Sequence, residues 1–192
     1  MSAVEAAFCR SALWRWFAWR GVLPWALRGD ELAGDVLEIG AGSGAMAAGI
    51  VESFPEVRLV VTDLDKVMVD SARDRFQGRG SVEVGVADVT SLPFEASSFD
   101  AVTSFLMLHH VIDWTDALTE CARVLRPGGA LVGYDLTDTR AARLLHRLDG
   151  SPHRIVAAAE LRAGLARVGL AEVDVRSSLA GHLMRFRAVR PH

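Results

Sequence analysis

From residue 36 to residue 189, short apolar runs alternate with amphipathic stretches, and no other feature limits the possible folds so strongly. Residues 36–39, 58–62, 82–86, 101–105 and 130–134 are apolar and of strand length. Helical signals fall between them. Met46, Ile50 and Val51 support a helix after the first run. Asp65 is placed to cap a helix over residues 66–76. Trp114, Leu118, Cys121 and Leu125 share one face of a helix over about residues 114–125, which Pro127-Gly128-Gly129 stops. A last helix covers about residues 160–168, with Gly169 just past its end. Such alternation implies βαβ units and a mainly parallel sheet. Two closing runs, about residues 172–177 and 183–189, are joined only by residues 178–182. A link that short holds no crossover, so these strands pair antiparallel. The predicted architecture is α/β: seven strands, mostly parallel with one antiparallel, and helices on both faces. Ligands of such sheets bind at the carboxyl ends of the strands.

Composition narrows the function classes. A chain of 192 residues suits one domain, with an aromatic helical segment over residues 1–30 and the sheet core over 34–192. The net charge of −3 argues against a nucleic-acid partner, whose footprint is basic. Cys9 and Cys121 lack metal-ligand spacing and read as small buried hydrophobes, and no metal is expected. No apolar run spans a bilayer, and Arg10, Arg15 and Arg20 interrupt the apolar N-terminus. The expectation is a cytoplasmic monomer or homodimer without stable membrane insertion. A helix over about residues 4–20 gathers Phe8, Cys9, Ala12, Leu13, Trp16, Phe17 and Trp19 on one face, with Trp14 opposite, and Pro24 and Gly29 then punctuate the chain. It packs on the sheet and covers the site, lines an acceptor pocket through Trp14, Phe17 or Trp19, or rests on a membrane surface. Arg20 within its apolar face weakens the last reading.

The chemistry concentrates at the strand ends. Gly40, Gly42 and Gly44 follow the first strand, where glycine lets the backbone turn and a ligand approach. Gly40, Gly42 and Ala45 also satisfy a dinucleotide fingerprint, and a plain tight turn explains them as well. Three carboxylates sharpen the choice. Glu38 precedes the glycines, so it repels a diphosphate and favours an ammonium or sulfonium. S-adenosylmethionine carries both. Asp63 ends the second strand, where an acid accepts from ribose hydroxyls. Asp88 ends the third, where it accepts from an exocyclic adenine amine. Singly, Asp63 reads equally as a turn residue and Asp88 as a loop cap. Together, at successive strand ends, the three read as one site.

The stretches VLEIGAGSGAMA (36–47), VVTDLDKVMVDSAR (60–73), VGVADVTSLPFEASSFDAVTSFLMLHHV (84–111) and ECARVLRPGGALVGYDL (120–136) resemble the class I S-adenosylmethionine-dependent methyltransferases. They are most similar to the small-molecule subgroup called type 11, which is Rossmann-like. The resemblance covers nearly everything after Gly34. It implies that Glu38 and the loop of Gly40, Ala41, Gly42 and Gly44 hold the methionine end. It places Asp63 at the ribose, Leu64 beside the adenine, and Ala87, Asp88 and Val89 at the adenine edge. Phe105 would supply a backbone carbonyl near the amino group.

The acceptor side is less defined. His109 and His110 follow the fourth strand, near where the methyl group should point, and a general base there would help a hydroxyl lose its proton. His110 reads rather as a packing residue, and His109 stays open. Asp135 after the fifth strand is a second base candidate or a loop residue. His146 and His153 read as surface residues near acceptor contacts. The expected reaction is methyl transfer to a small apolar or aromatic acceptor, with oxygen first and carbon or nitrogen next. The alternatives are an NAD(P)-dependent oxidoreductase and a non-catalytic cofactor-binding partner protein. The stretch after the fourth strand lacks the Asn/Asp-Pro-Pro-aromatic motif of base-amine methylation.

Overall fold

A computed structural model describes residues 16, 18–139, 153–178 and 181–192. Seven strands form one sheet in the order β3-β2-β1-β4-β5-β7-β6. They are β1 (Asp35–Ile39), β2 (Arg58–Asp63), β3 (Val82–Val86), β4 (Phe99–Phe105), β5 (Leu125–Leu136), β6 (Ala171–Ser178) and β7 (Leu183–Val189). The pairings from β3 across to β5 are parallel, and β7 runs antiparallel to both β5 and β6. β7 is therefore the single reversed strand that the short link before it demands.

Helices cover both faces. On one side lie α1 (Leu23–Leu27), α2 (Ala45–Ser53) and α3 (Lys66–Arg75), and they share a core with Val36, Leu59, Val61 and Tyr134. On the other lie α4 (Trp114–Val124) and α5 (Ala158–Arg167), packed with Leu37, Val102, Leu131 and Phe186. The heptad-like face of α4 buries Trp114, Leu118 and Cys121 as its periodicity requires. Burial pushes the Cys121 thiol up to about 12, so it stays a neutral hydrophobe. The Asp65 carboxylate accepts from Val67 N at 2.8 Å and caps α3, and Gly169 follows α5 in a left-handed conformation.

Two local readings are corrected. Pro127-Gly128-Gly129 does not separate helix from strand. It lies inside β5, where a register irregularity in the pairing with β4 absorbs it and Gly128 N donates to Arg190 O at 2.8 Å. Partner strands supply the hydrogen bonds that local propensity would forgo. Pro24 likewise does not end helical structure. A π-helical turn over Ala18–Val22 leads into α1, and Pro24 occupies its first turn, where the missing N–H has no intrahelical partner to lose. Trp14, Phe17, Cys9 and His146 lie outside the described residues. Trp16 is 61% exposed, whereas Trp19 packs against the α1–α2 core.

Candidate cofactor and acceptor site

A cavity of about 660 Å³ runs along the carboxyl ends of β3, β2, β1, β4 and β5. That size is ordinary for a small-molecule site. Asp35, Asp100, Arg58 and Arg126 tie the strands together at their amino ends, leaving the carboxyl ends for the ligand.

The cavity gathers most of the cofactor residues expected from sequence. Glu38, Gly40, Ala41, Gly42, Asp63, Leu64, Ala87, Asp88, Val89 and Phe105 all line it. Gly44 does not. It starts α2 in a left-handed conformation, where a side chain would strike Phe76. Gly40 has φ +59°, and a Cβ there would meet Met107 Cγ at 1.9 Å. At Gly40 and Gly44 there is room for glycine alone.

The electrostatics of the loop are unusual. Glu38 is 1% exposed, and its Oε2 has no hydrogen-bond partner among the described residues. Burial first, and the nearby Asp63 charge second, push its carboxyl up to about 8. An incoming cation would stabilise the ionised form and give the unpartnered oxygen its missing contact. Burial also raises Asp63, against the hydrogen bonds that favour its charged form. Asp63 Oδ2 accepts from Gly42 N at 2.7 Å, and Oδ1 accepts from Asp65 N at 2.8 Å. Asp63 thus braces the glycine loop as well as facing the cavity. Asp88 combines capping contacts with a place on the cavity wall. It lines the cavity, and its Oδ1 accepts from Thr90 N and Thr90 Oγ1, which hold its carboxyl below the usual range.

The two catalytic candidates fall elsewhere. His109 and Asp135 are 4% and 1% exposed and lie outside the cavity wall. They border a small separate void with Trp114, Leu161 and Met184. His109 Nδ1 sits 2.5 Å from Asp135 Oδ1. His110, read from sequence as packing, lines the main cavity instead, together with Leu106, Met107 and Tyr134. Adjacent residues of the 3-10 turn Leu108–His110 point to different sides, and no local sequence signal says which histidine faces the ligand. Leu106, Met107, Asp113 and Tyr134 are among the cavity residues that sequence reasoning missed. His153 is partly buried beside α5's lead-in and does not line the cavity.

A parallel sheet with one reversed strand, a glycine loop at its first turn and acids at three successive strand ends defines the class I methyltransferase architecture. The chain belongs to that family: residues 37–133 match the methyltransferase domain family. It is 32% identical to the demethylmenaquinone methyltransferase of Clavibacter sepedonicus, over 93% of this chain and 80% of that protein. It is 38% identical to a ubiquinone/menaquinone biosynthesis C-methyltransferase of Desulfotalea psychrophila, over 58% of this chain and 45% of that protein. The chain therefore spans less than half of the second relative's length. A Haemonchus contortus phosphoethanolamine N-methyltransferase, solved with S-adenosylhomocysteine, shares the fold with a TM-score of 0.79 at 17% identity, over 90% of this chain and 53% of that one. The cofactor of the family is S-adenosylmethionine. Among the described residues, no helix is long and apolar enough to cross a membrane.

Proposed function

We propose that this chain transfers a methyl group from S-adenosylmethionine to a small acceptor with an apolar or aromatic body. One observation carries the reading: the buried carboxylate of Glu38, with an unsatisfied oxygen, stands beside the glycine loop in a cavity that Asp63 and Asp88 also line. In its ionised form that carboxyl repels a diphosphate, whereas an ammonium pairs with it.

When bound, S-adenosylmethionine supplies a methyl group already activated on a sulfonium. The chain's residues bind and orient. Glu38 takes the ammonium, with the Phe105 backbone carbonyl nearby. The loop of Gly40, Ala41, Gly42 and Gly44 shapes the methionine end. Asp63 accepts from the ribose hydroxyls, Leu64 flanks the adenine, and Ala87, Asp88 and Val89 meet its edge. Phe105, Leu106, Met107 and Tyr134 line the acceptor half and exclude water. Alignment in a dry site supplies much of the acceleration that methyl transfer needs. Nothing in the site selects among oxygen, carbon and nitrogen as the attacked atom, and the relatives and structural neighbours include methyltransferases of all three kinds by name.

The test is parallel calorimetric titration with S-adenosylmethionine, S-adenosylhomocysteine and NAD(H). Micromolar binding of the first two without a nicotinamide response is expected, whereas binding of NAD(H) alone would sink the proposal. Tight binding without turnover across a broad acceptor panel would favour a non-catalytic partner.

Asp63→Ala is expected to weaken S-adenosylmethionine binding by about 1–3 kcal/mol, because it strips the ribose partner and loosens the glycine loop that Asp63 braces. The Gly42 and Asp65 amides lose their acceptor in the same stroke. Unchanged affinity in the same titration would remove Asp63 from the ribose.

A further inference from the structure

The proposed function leaves the acceptor half of the cavity undefined, and one imidazole stands in that half. Neighbouring strands lie about 4.8 Å apart, so Asp88 after β3 and Tyr134 on β5 mark opposite ends of the cavity. The acids expected to hold the cofactor sit toward β3, β2 and β1. Past β1 the walls are mostly apolar, with Phe105, Leu106, Met107 and Tyr134, and His110 and Asp113 are the ionisable residues among them. The Phe105 and Tyr134 rings lie 5.8 Å apart and 35° from parallel, which suits a flat apolar body.

His110 rests on a buried support. Its ring lies 4.1 Å from that of His109, tilted by 43°. His109 is turned away from the cavity, toward Asp135. The Asp135 carboxylate also accepts from the His109 and Leu136 amides, at 3.3 and 2.6 Å. The His109 carbonyl accepts from Arg154 N at 2.7 Å. Ring and backbone of His109 are therefore both held, and the Nδ1 contact with a carboxylate selects the tautomer with hydrogen on Nδ1. His110 stacks against a ring that cannot swing.

We infer that His110 is the acceptor-contacting group of this cavity, that the buried His109–Asp135 pair positions its ring, and that the acceptor is a flat apolar molecule whose hydroxyl or amine reaches His110. The inference rests on the methyltransferase reading of the same cavity. A neutral imidazole nitrogen accepts from O–H or N–H, and an ether offers it nothing. Where the reaction costs the acceptor that hydrogen, the proton passes to the His110 nitrogen. The acceptor's electron pair forms the bond to the methyl carbon, and the carbon–sulfur pair stays on sulfur. His109 and Asp135 touch no reactant and act through His110.

The test uses the full chain saturated with S-adenosylhomocysteine and titrated with 1-naphthol or 1-methoxynaphthalene, two probes of similar shape. The wild-type chain is expected to bind the naphthol about tenfold tighter, the size of one well-made hydrogen bond. His110→Phe abolishes the preference. Asp135→Asn shrinks it while keeping S-adenosylhomocysteine affinity within about twofold, a range that excludes the loss of a cofactor hydrogen bond. In imidazole nitrogen NMR, Asp135→Asn changes the His109 tautomer and shifts the His110 signals but not those of His192. His109→Gln provides the same readouts if Asp135→Asn fails to fold. Equal binding of the probes, no naphthol binding, or a preference that survives His110→Phe would overturn the role of His110. Unmoved His110 signals in a folded pair variant would overturn the positioning role. A wild-type chain that does not bind S-adenosylhomocysteine fails at the earlier step and removes the methyltransferase reading itself.

Discussion

Glu38→Gln should weaken S-adenosylmethionine binding by about 1.5–3 kcal/mol, roughly 10- to 150-fold, while making the cofactor-free chain more stable in alkali. The two effects share one cause. Burial holds the Glu38 carboxyl at about 8, against 4.5 for a solvated glutamate. Between those values the folded chain binds more protons than the unfolded chain, so stability falls as pH rises from 4.5 through 8. Glutamine does not titrate and escapes that loss. The two proteins should melt at similar temperatures near pH 4.5. By pH 8.5 the variant should melt higher by on the order of 10 °C. Binding runs the other way. An ammonium needs the carboxylate, so wild-type affinity should climb up to about pH 8 with a proton released on binding. Calorimetry in buffers of different ionisation enthalpy reads that proton directly. A variant that binds normally, or a wild-type affinity flat with pH, would take Glu38 out of the cofactor contact.

Gly133→Ala should destabilise the chain by about 3 kcal/mol. Gly133 lies in β5 opposite Ser104 of β4 and Phe186 of β7. An added Cβ would lie 2.0 Å from the Ser104 carbonyl oxygen and 2.7 Å from Phe186 Cζ. Neither neighbour yields easily, because one is backbone in a central strand and the other is a fully buried ring. Gly85 in β3 is the internal control, since nothing lies within 4 Å of its would-be Cβ. Gly85→Ala should change stability by no more than about 0.5 kcal/mol. Urea unfolding of both variants measures the contrast, and equal values would mean that the β4–β5–β7 packing is looser than described.

The elements were legible because their signals are local. Apolar runs and turn residues mark the strands, and the periodicity of Trp114, Leu118 and Cys121 marks a helix with one buried face. The Asp65 cap is readable for the same reason. The failures are equally physical. Pro127-Gly128-Gly129 breaks structure by local propensity, but Arg190 and β4 supply partners that keep it within a strand.

The site divides along the same line. The chain's own order determines that Glu38, Asp63 and Asp88 reach one cavity, because each ends a strand and parallel strands end on the same side. It equally determines that β7 is reversed, because five residues cannot carry a crossover. Which histidine meets the ligand is a tertiary matter. His109 and His110 are neighbours in one turn, and what separates them is Asp135, 26 residues further along, whose carboxylate draws His109 into the core and leaves His110 on the wall. Only folding brings that carboxylate to the turn, so no pattern confined to the turn itself could assign the two roles.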